Sequence, residues 1–192
     1  MKIGVLSIQG AVSEHLKHLE LCGAKAVPVK SKAELSAIKG LVIPGGESTT
    51  IGKLIQAAGL DKPIKERAEN GSLAVFGTCA GMVVMAGEVT DGLEGQPRLE
   101  LMDTRVKRNA FGRQRESFEM ELDFKSFDRP LTGVFIRSPI ITGAGEKVEV
   151  LTSLPEGIVA ARQDNLLAVS FHPELTGDRR IHYYFLEMCR QL

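Results

Sequence analysis

Four short apolar runs restrict the fold more than any other feature of the chain: "KIGVLSI" (2–8), "KAVPVK" (25–30), "GLVIPG" (40–45) and "LAVFGT" (73–78). Each is rich in branched residues and short enough to be a strand. Between them lie helix-spaced segments. Val12, Leu16, Leu19 and Cys22 recur every three or four positions, with Glu14, Lys17, His18 and Glu20 read as the polar side; Leu54, Ile55 and Ala58 continue the pattern further on. Strands alternating with helices predict a parallel sheet covered on both faces. In such a sheet ligands gather beyond the carboxyl ends of the strands. The turns "SIQG", "PGGES" and "GTCAG" belong at those ends.

The second half reads differently. "DTRVKRN", "ESFEMELDF", "TGVFIRSP", "EKVEVLTSL", "GIVAARQDN" and "LLAVSFHPEL" are strand-like with little helix between them, which predicts an antiparallel extension. Ile181, Tyr184, Phe185 and Met188 then give a closing helix one apolar face. No linker, repeat or low-complexity tract marks a boundary, so one domain over 1–192 is expected. Lys plus Arg number 24 and Asp plus Glu also 24, a balance that argues against nucleic acid or an anionic membrane as partner. Cys22, Cys79 and Cys189 fit neither a disulfide framework nor a zinc pattern, so a reducing cytoplasm and no metal are expected. No apolar run approaches the ~18 residues of a spanning helix, and the chain is expected to be soluble.

The sequence "VFGTCAGMVV" (75–84) places one thiol at a strand-to-helix turn, with Gly77 and Gly81 flanking Cys79 and "GMVVMAGE" able to continue as helix. Such a turn holds a nucleophile in a strained backbone conformation with its side chain in a cleft, and the amides opening the helix favour thiolate and can receive an oxyanion. The alternative is an inert buried thiol. A nucleophile needs a base and the base an orienting group. Of four histidines, His15 and His18 read as solvated helix residues and His182 as part of the final helix. His172 differs, because it ends a strand and is followed by Pro173 and Glu174, so a carboxylate two residues on can turn back to fix the imidazole tautomer. In "IPGGEST" (43–49) Ser48 or Thr49 is expected to cap a helix, and the backbone amide of Gly46 could join that of Ala80 in an oxyanion hole.

With "GTCAG", "FHPE" and "PGGES" in this arrangement, the sequence resembles the class I, triad-type glutamine amidotransferases. "IQGAVSEH", "PGGESTT", "RNAFGRQRESFE" and "GVFIRSP" are similar, more narrowly, to the glutaminase subunits of pyridoxal 5′-phosphate synthases. The resemblance spans nearly the whole chain. It implies a flavodoxin-like α/β fold, a three-layer sandwich whose central sheet is mostly parallel, with the antiparallel extension in the second half. It further implies hydrolysis of L-glutamine to L-glutamate and ammonia, without cofactor. A separate synthase (lyase) subunit would take up the ammonia and build the vitamin from ribose 5-phosphate and glyceraldehyde 3-phosphate.

By the same resemblance Cys79 is the nucleophile, His172 the base and Glu174 its orienting group. Gly46, Glu47 and Ser48 map onto the glutamine-contacting turn, Arg108 onto a substrate-binding arginine, and Ile136 with Arg137 onto the last contact segment. An arginine suits the α-carboxylate of free glutamine and Glu47 its α-ammonium group. Arg113 and Arg115 read as surface charge. Ser138 and Ile140 stand where "RAPHI" is common in the family, and Ser13 where a charged residue is frequent. Two other readings remain: a glutaminase serving a different acceptor, and a flavodoxin-like stress protein in which Cys79 senses oxidants.

Overall fold

The computed structural model describes residues 1–93, 95–111 and 117–192. Strand β1 (Lys2–Leu6) lies between β2 (Lys25–Val29) and β3 (Gly40–Ile43), parallel to both. Strand β4 (Ala74–Thr78) continues the parallel set beyond β3. Ile3, Val5, Leu41, Val42 and Ile43 are all sealed from solvent, as the continuous apolar runs require of strands covered on two faces. Pro28, which has no N–H to give a ladder, sits in β2 at the sheet edge.

Alternate side chains of these strands enter two separate cores. Leu6, Leu41, Ile43 and Val75 pack with α2 (Lys32–Ser36), α3 (Ser48–Ala57), α4 (Asp61–Glu69) and α5 (Ala80–Met85). Ile3, Val5, Val42 and Phe76 pack instead with α1 (Val12–Leu21) and α6 (Arg180–Arg190). The result is the expected three-layer α/β sandwich. On α6, Ile181, Phe185 and Met188 are buried as their spacing predicts. On α3 the buried stripe is Ile51 and Ile55, whereas Leu54 is 37 % exposed; position 54 falls about 100° from 55 around the helix and faces water.

The second half supplies β5 (Ala86–Val89), β6 (Met102–Lys107), β7 (Ser117–Leu122), β8 (Leu131–Ile136), β9 (Ile140–Ala144), β10 (Glu149–Leu154), β11 (Gly157–Gln163) and β12 (Leu166–Val169). The described strands of the main sheet run in the order β2-β1-β3-β4-β12-β11-β9-β6-β5, with β10 beside β11, and β7 and β8 form a separate antiparallel hairpin. Two features depart from expectation. The helix after Cys79 stops at Met85, and "AGEV" becomes β5, pairing Ala86 with Met102 and Val89 with Val106. Strand β12 joins the parallel set: it runs antiparallel to β11 but parallel to β4. Among the described residues, no helix is long and apolar enough to cross a membrane.

Candidate active site

Strand β4 ends at Thr78, α5 begins at Ala80, and Cys79 between them has φ 48° and ψ −106°. A side chain held in so sparsely populated a region costs on the order of 1–3 kcal/mol, which the surroundings must over-determine. They do so partly through Gly77 and Gly81. A Cβ built on Gly77 would stand 2.6 Å from the carbonyl carbon of Gly81, so the strand and the helix approach more closely than any larger residue permits. The amide of Cys79 donates to the Val169 carbonyl (2.9 Å), fixing the turn to β12.

That strand brings the second group. Val169 is paired with Thr78, so the chain leaving β12 emerges beside Cys79 and places His172 against it. Pro173 opens a single 3-10 turn, Pro173–Leu175, which curls Glu174 back until its Oε1 is 2.8 Å from His172 Nδ1. On its other side His172 adjoins the Cys79 side chain, whose Sγ lies 3.8 Å from the Ile136 carbonyl. Burial alone would lower the proton affinity of this imidazole, but the neighbouring Cys79 and Glu174 side chains outweigh burial and raise the pKa to about 10. The Glu174 side chain is sealed from solvent while that of His172 is 12 % exposed. The imidazole thus forms the floor of a cleft, backed by a carboxylate that water cannot reach.

Above it lies a cavity of about 480 Å³, ample for a free amino acid. Every sequence-predicted site residue except Glu174, which stands behind His172, lines it: Gly46, Glu47 and Ser48 from the glycine turn, Cys79 and Ala80 from the nucleophile turn, His172, then Arg108, Ile136 and Arg137. Gly45 forms the wall between two of these groups. A Cβ there would meet His172 Cε1 at 2.6 Å and Cys79 Cβ at 3.3 Å, so only glycine lets this turn close on the reacting pair.

Glu47, and not Ser48 or Thr49, caps α3. Its carboxylate accepts from the amides of Thr49 (2.9 Å) and Thr50 (2.7 Å) and from the Thr50 hydroxyl (2.7 Å). Partial burial would raise its pKa, but these bonds hold it down at about 2, so Glu47 is anionic. Ser48 Oγ is taken up by Gln96 Nε2 at 3.1 Å. Arg108 donates from its main chain and from Nη2 to Asp91 and reaches Gln96 Oε1 at 3.4 Å, which ties it to the rim. Ile136 and Arg137 turn back over the cleft through a positive φ at Arg137 (46°). The hydroxyl of Ser138 accepts from the Ile136 amide at 3.1 Å and holds that turn, a bond alanine at this position could not make.

Gln9 and Asn109 also line the cavity without having been singled out, although both stand in stretches that carry the resemblance, "IQGAV" and "RNAFG". Gln9 Oε1 accepts from the Glu47 amide at 3.2 Å. Arg113 and Arg115 lie outside the described residues. The expectation for His15 and His18 fails: His15 is fully buried and His18 is 9 % exposed. Position 15 is three residues after Val12 and four before Leu19, so the helix turns it onto the apolar face.

Residues 5–191 match the SNO glutamine amidotransferase family. The chain belongs to that family. It is 56 % identical over 190 residues to the pyridoxal 5′-phosphate synthase subunit PdxT of Pelotomaculum thermopropionicum, an alignment covering 98 % of this chain and 95 % of that one. The subunit of the same name from Dehalococcoides mccartyi is 52 % identical over 192 residues, covering 99 % and 98 %. A crystal structure of a glutamine amidotransferase superposes with TM-score 0.93 at 48 % identity, covering 98 % of both chains. PurLQS from Thermotoga maritima shares the fold at TM-score 0.63 and 16 % identity, with 99 % of this amidotransferase and 95 % of that chain covered.

Proposed function

We propose that this amidotransferase hydrolyses L-glutamine to L-glutamate and ammonia and delivers the ammonia to the synthase subunit of a pyridoxal 5′-phosphate synthase. The observation that carries the reading is His172, bonded to buried Glu174 and lining one amino-acid-sized cleft with Cys79. Two PdxT relatives above 50 % identity supply the acceptor.

The Cys79 thiolate attacks the side-chain amide carbon of glutamine, and the backbone amides of Gly46 and Ala80 hold the oxyanion. His172 passes its proton to the leaving nitrogen, releasing ammonia and a γ-glutamyl thioester. Water, giving a proton to His172, then cleaves the thioester to glutamate and free thiolate. Glu174 keeps the Nδ1 proton of His172 in place, so that Nε2 faces the chemistry throughout. Arg108 and Arg137 receive the α-carboxylate. Anionic Glu47, although its lone pairs already cap α3, draws the α-ammonium group by charge. One domain spanning 1–192 carries all of these groups.

Ammonia escaping at neutral pH becomes ammonium and stops being a nucleophile, so hydrolysis gains from being gated by a docked acceptor. Cys22, Cys79 and Cys189 are all free thiols, which suits a reducing cytoplasm. Ammonia release from glutamine should rise on addition of the synthase subunit, and a glutamine-analogue alkylating agent should label Cys79. An equal rate with and without the synthase would remove the gating, and an unlabelled Cys79 would favour the oxidant-sensing alternative.

A further inference from the structure

Glu174 has two carboxylate oxygens, and the triad uses one. Oε1 faces His172; Oε2 is enclosed by protein and has no hydrogen bond of good geometry. Leaving half of a buried carboxylate uncompensated costs heavily. Facing it is His15 Nε2, at 3.4 Å, with both side chains wholly sealed from solvent. The same Nε2 lies 3.3 Å from Thr78 Oγ1, which in turn accepts from the amide of Gly45, the glycine pressed against His172 and Cys79. On its other side His15 Nδ1 is 3.0 Å from His182 Nε2.

One assignment of protons gives Oε2 a donor. Neutral His182 donates from Nε2 to His15 Nδ1, which forces the His15 proton onto Nε2, where it points at Glu174 Oε2 and Thr78 Oγ1. The groups around His15 keep it neutral: burial first, then His182 from α6, His18 on its own helix and His172 beyond Glu174 all lower its proton affinity, and Glu174 is the acidic side chain within reach. Arg179 and Lys17 act in the same sense on His18. Among the described residues no group of three His, Cys, Asp or Glu side chains is placed to hold a metal ion, so the cluster does not read as a metal site.

We infer that His15 is a positioning residue of the glutaminase: as a neutral donor from α1 it fixes the second oxygen of Glu174, and through Thr78 the glycine turn, so that the carboxylate stays aimed at His172. The inference rests on the triad reading given above. Without the donor, Glu174 is free to turn from His172, and the imidazolium loses part of its support. Catalysis should suffer while glutamine binding, which His15 does not touch, should not.

The test is steady-state ammonia release by the complex with saturating synthase subunit, for His15→Leu, His15→Gln and His15→Asn. Circular dichroism and thermal melts would establish that each variant folds. Loss of one hydrogen bond to a charged group corresponds to about 10–100-fold. His15→Leu should therefore lower kcat by about that factor with KM within about two-fold, and should move the basic limb of the pH–kcat profile toward neutrality. The glutamine amide can reach where Nε2 stood, so His15→Gln should recover most of the rate; the shorter asparagine should not. If His15→Leu does not fold, the contrast between Gln and Asn decides alone. Equal rates for Gln and Asn, or a fall in kcat with an unmoved basic limb, would overturn the inference. A Cys79→Ala control that still released ammonia would instead overturn the triad reading beneath it.

Discussion

Two groups of histidines meet at Glu174, and the protein treats them in opposite ways. His172, at the cleft floor, is held protonated, with its pKa raised to about 10. His182, on α6 behind the carboxylate, is pushed down to about 3, first by burial and then by the neighbouring His18. Both imidazoles are largely enclosed, so burial does not distinguish them. Partners do: His172 has a thiol and a carboxylate within reach, whereas His182 packs against the rings of His15, His18 and Phe76. One wall of the site therefore holds a proton, and the other excludes one.

Removing the sulfur breaks the contrast most severely. Cys79→Ala deletes the proposed nucleophile and one of the two partners that keep His172 charged, and ammonia release should fall by about 10⁴-fold or more. Histidine proton resonances followed against pH should show His172 titrating well below 10 in this variant. Glu174→Gln comes next. It keeps the shape but takes the charge from between the two groups, and kcat should drop by about 10²–10⁴-fold. The basic limb of the pH–rate profile should shift downward in parallel. A variant with full activity would show that His172 needs no anionic partner.

The parallel half of the fold was legible because each strand is buried on both faces and so reads as an unbroken apolar run. The contact between Glu174 and His172 was legible because Pro173 leaves the chain after β12 no way to continue as strand, which turns Glu174 back on His172. The short strand β5 was not. "MVVMAG" has no polar residue to mark the phase of a helix or a strand, and the stop at Met85 is set by pairing with β6, a contact made sixteen residues away in sequence. His15 was hidden for another reason. Its spacing from Val12 and Leu19 put it on the buried face, but a polar side chain was read as a solvated one. The tertiary neighbours His182, Thr78 and Glu174 make its burial tolerable.

Acid unfolding sharpens the comparison on the proton-excluding side. A histidine lowered to about 3 in the folded chain but near 6.5 when unfolded binds its proton preferentially in the unfolded state. Stability therefore falls as pH drops below about 6.5, by about 1.4 kcal/mol per pH unit for each such group. His15, lowered in the same direction, adds to the slope. His172 has the reverse sign: its raised pKa stabilises the fold fully below about 6.5, and that contribution is lost as pH climbs through about 10. Urea unfolding of His182→Leu between pH 6 and pH 4 should show a slope smaller by about one proton than the parent chain. An unchanged slope would mean that His182 takes up its proton without unfolding the protein.

The two carboxylates of the site allow the finest distinction. Glu174 is sealed and answers to the His172 imidazole; Glu47 is at the surface of the same cleft and answers to the helix amides of Thr49 and Thr50. Its pKa of about 2 means that the cap is intact above pH 4.5 and is lost only as pH falls through 2, far from any catalytic range. Glu47→Ala should therefore cost about 1 kcal/mol of stability, the usual loss of an N-cap, seen as a drop of a few degrees in the melting temperature. Because Glu47 also lines the cavity, KM for glutamine should rise while kcat changes little. A large fall in kcat at constant KM would move Glu47 from the binding rim into the reaction itself, and the contrast between an exposed cap and a buried orienting carboxylate would fail.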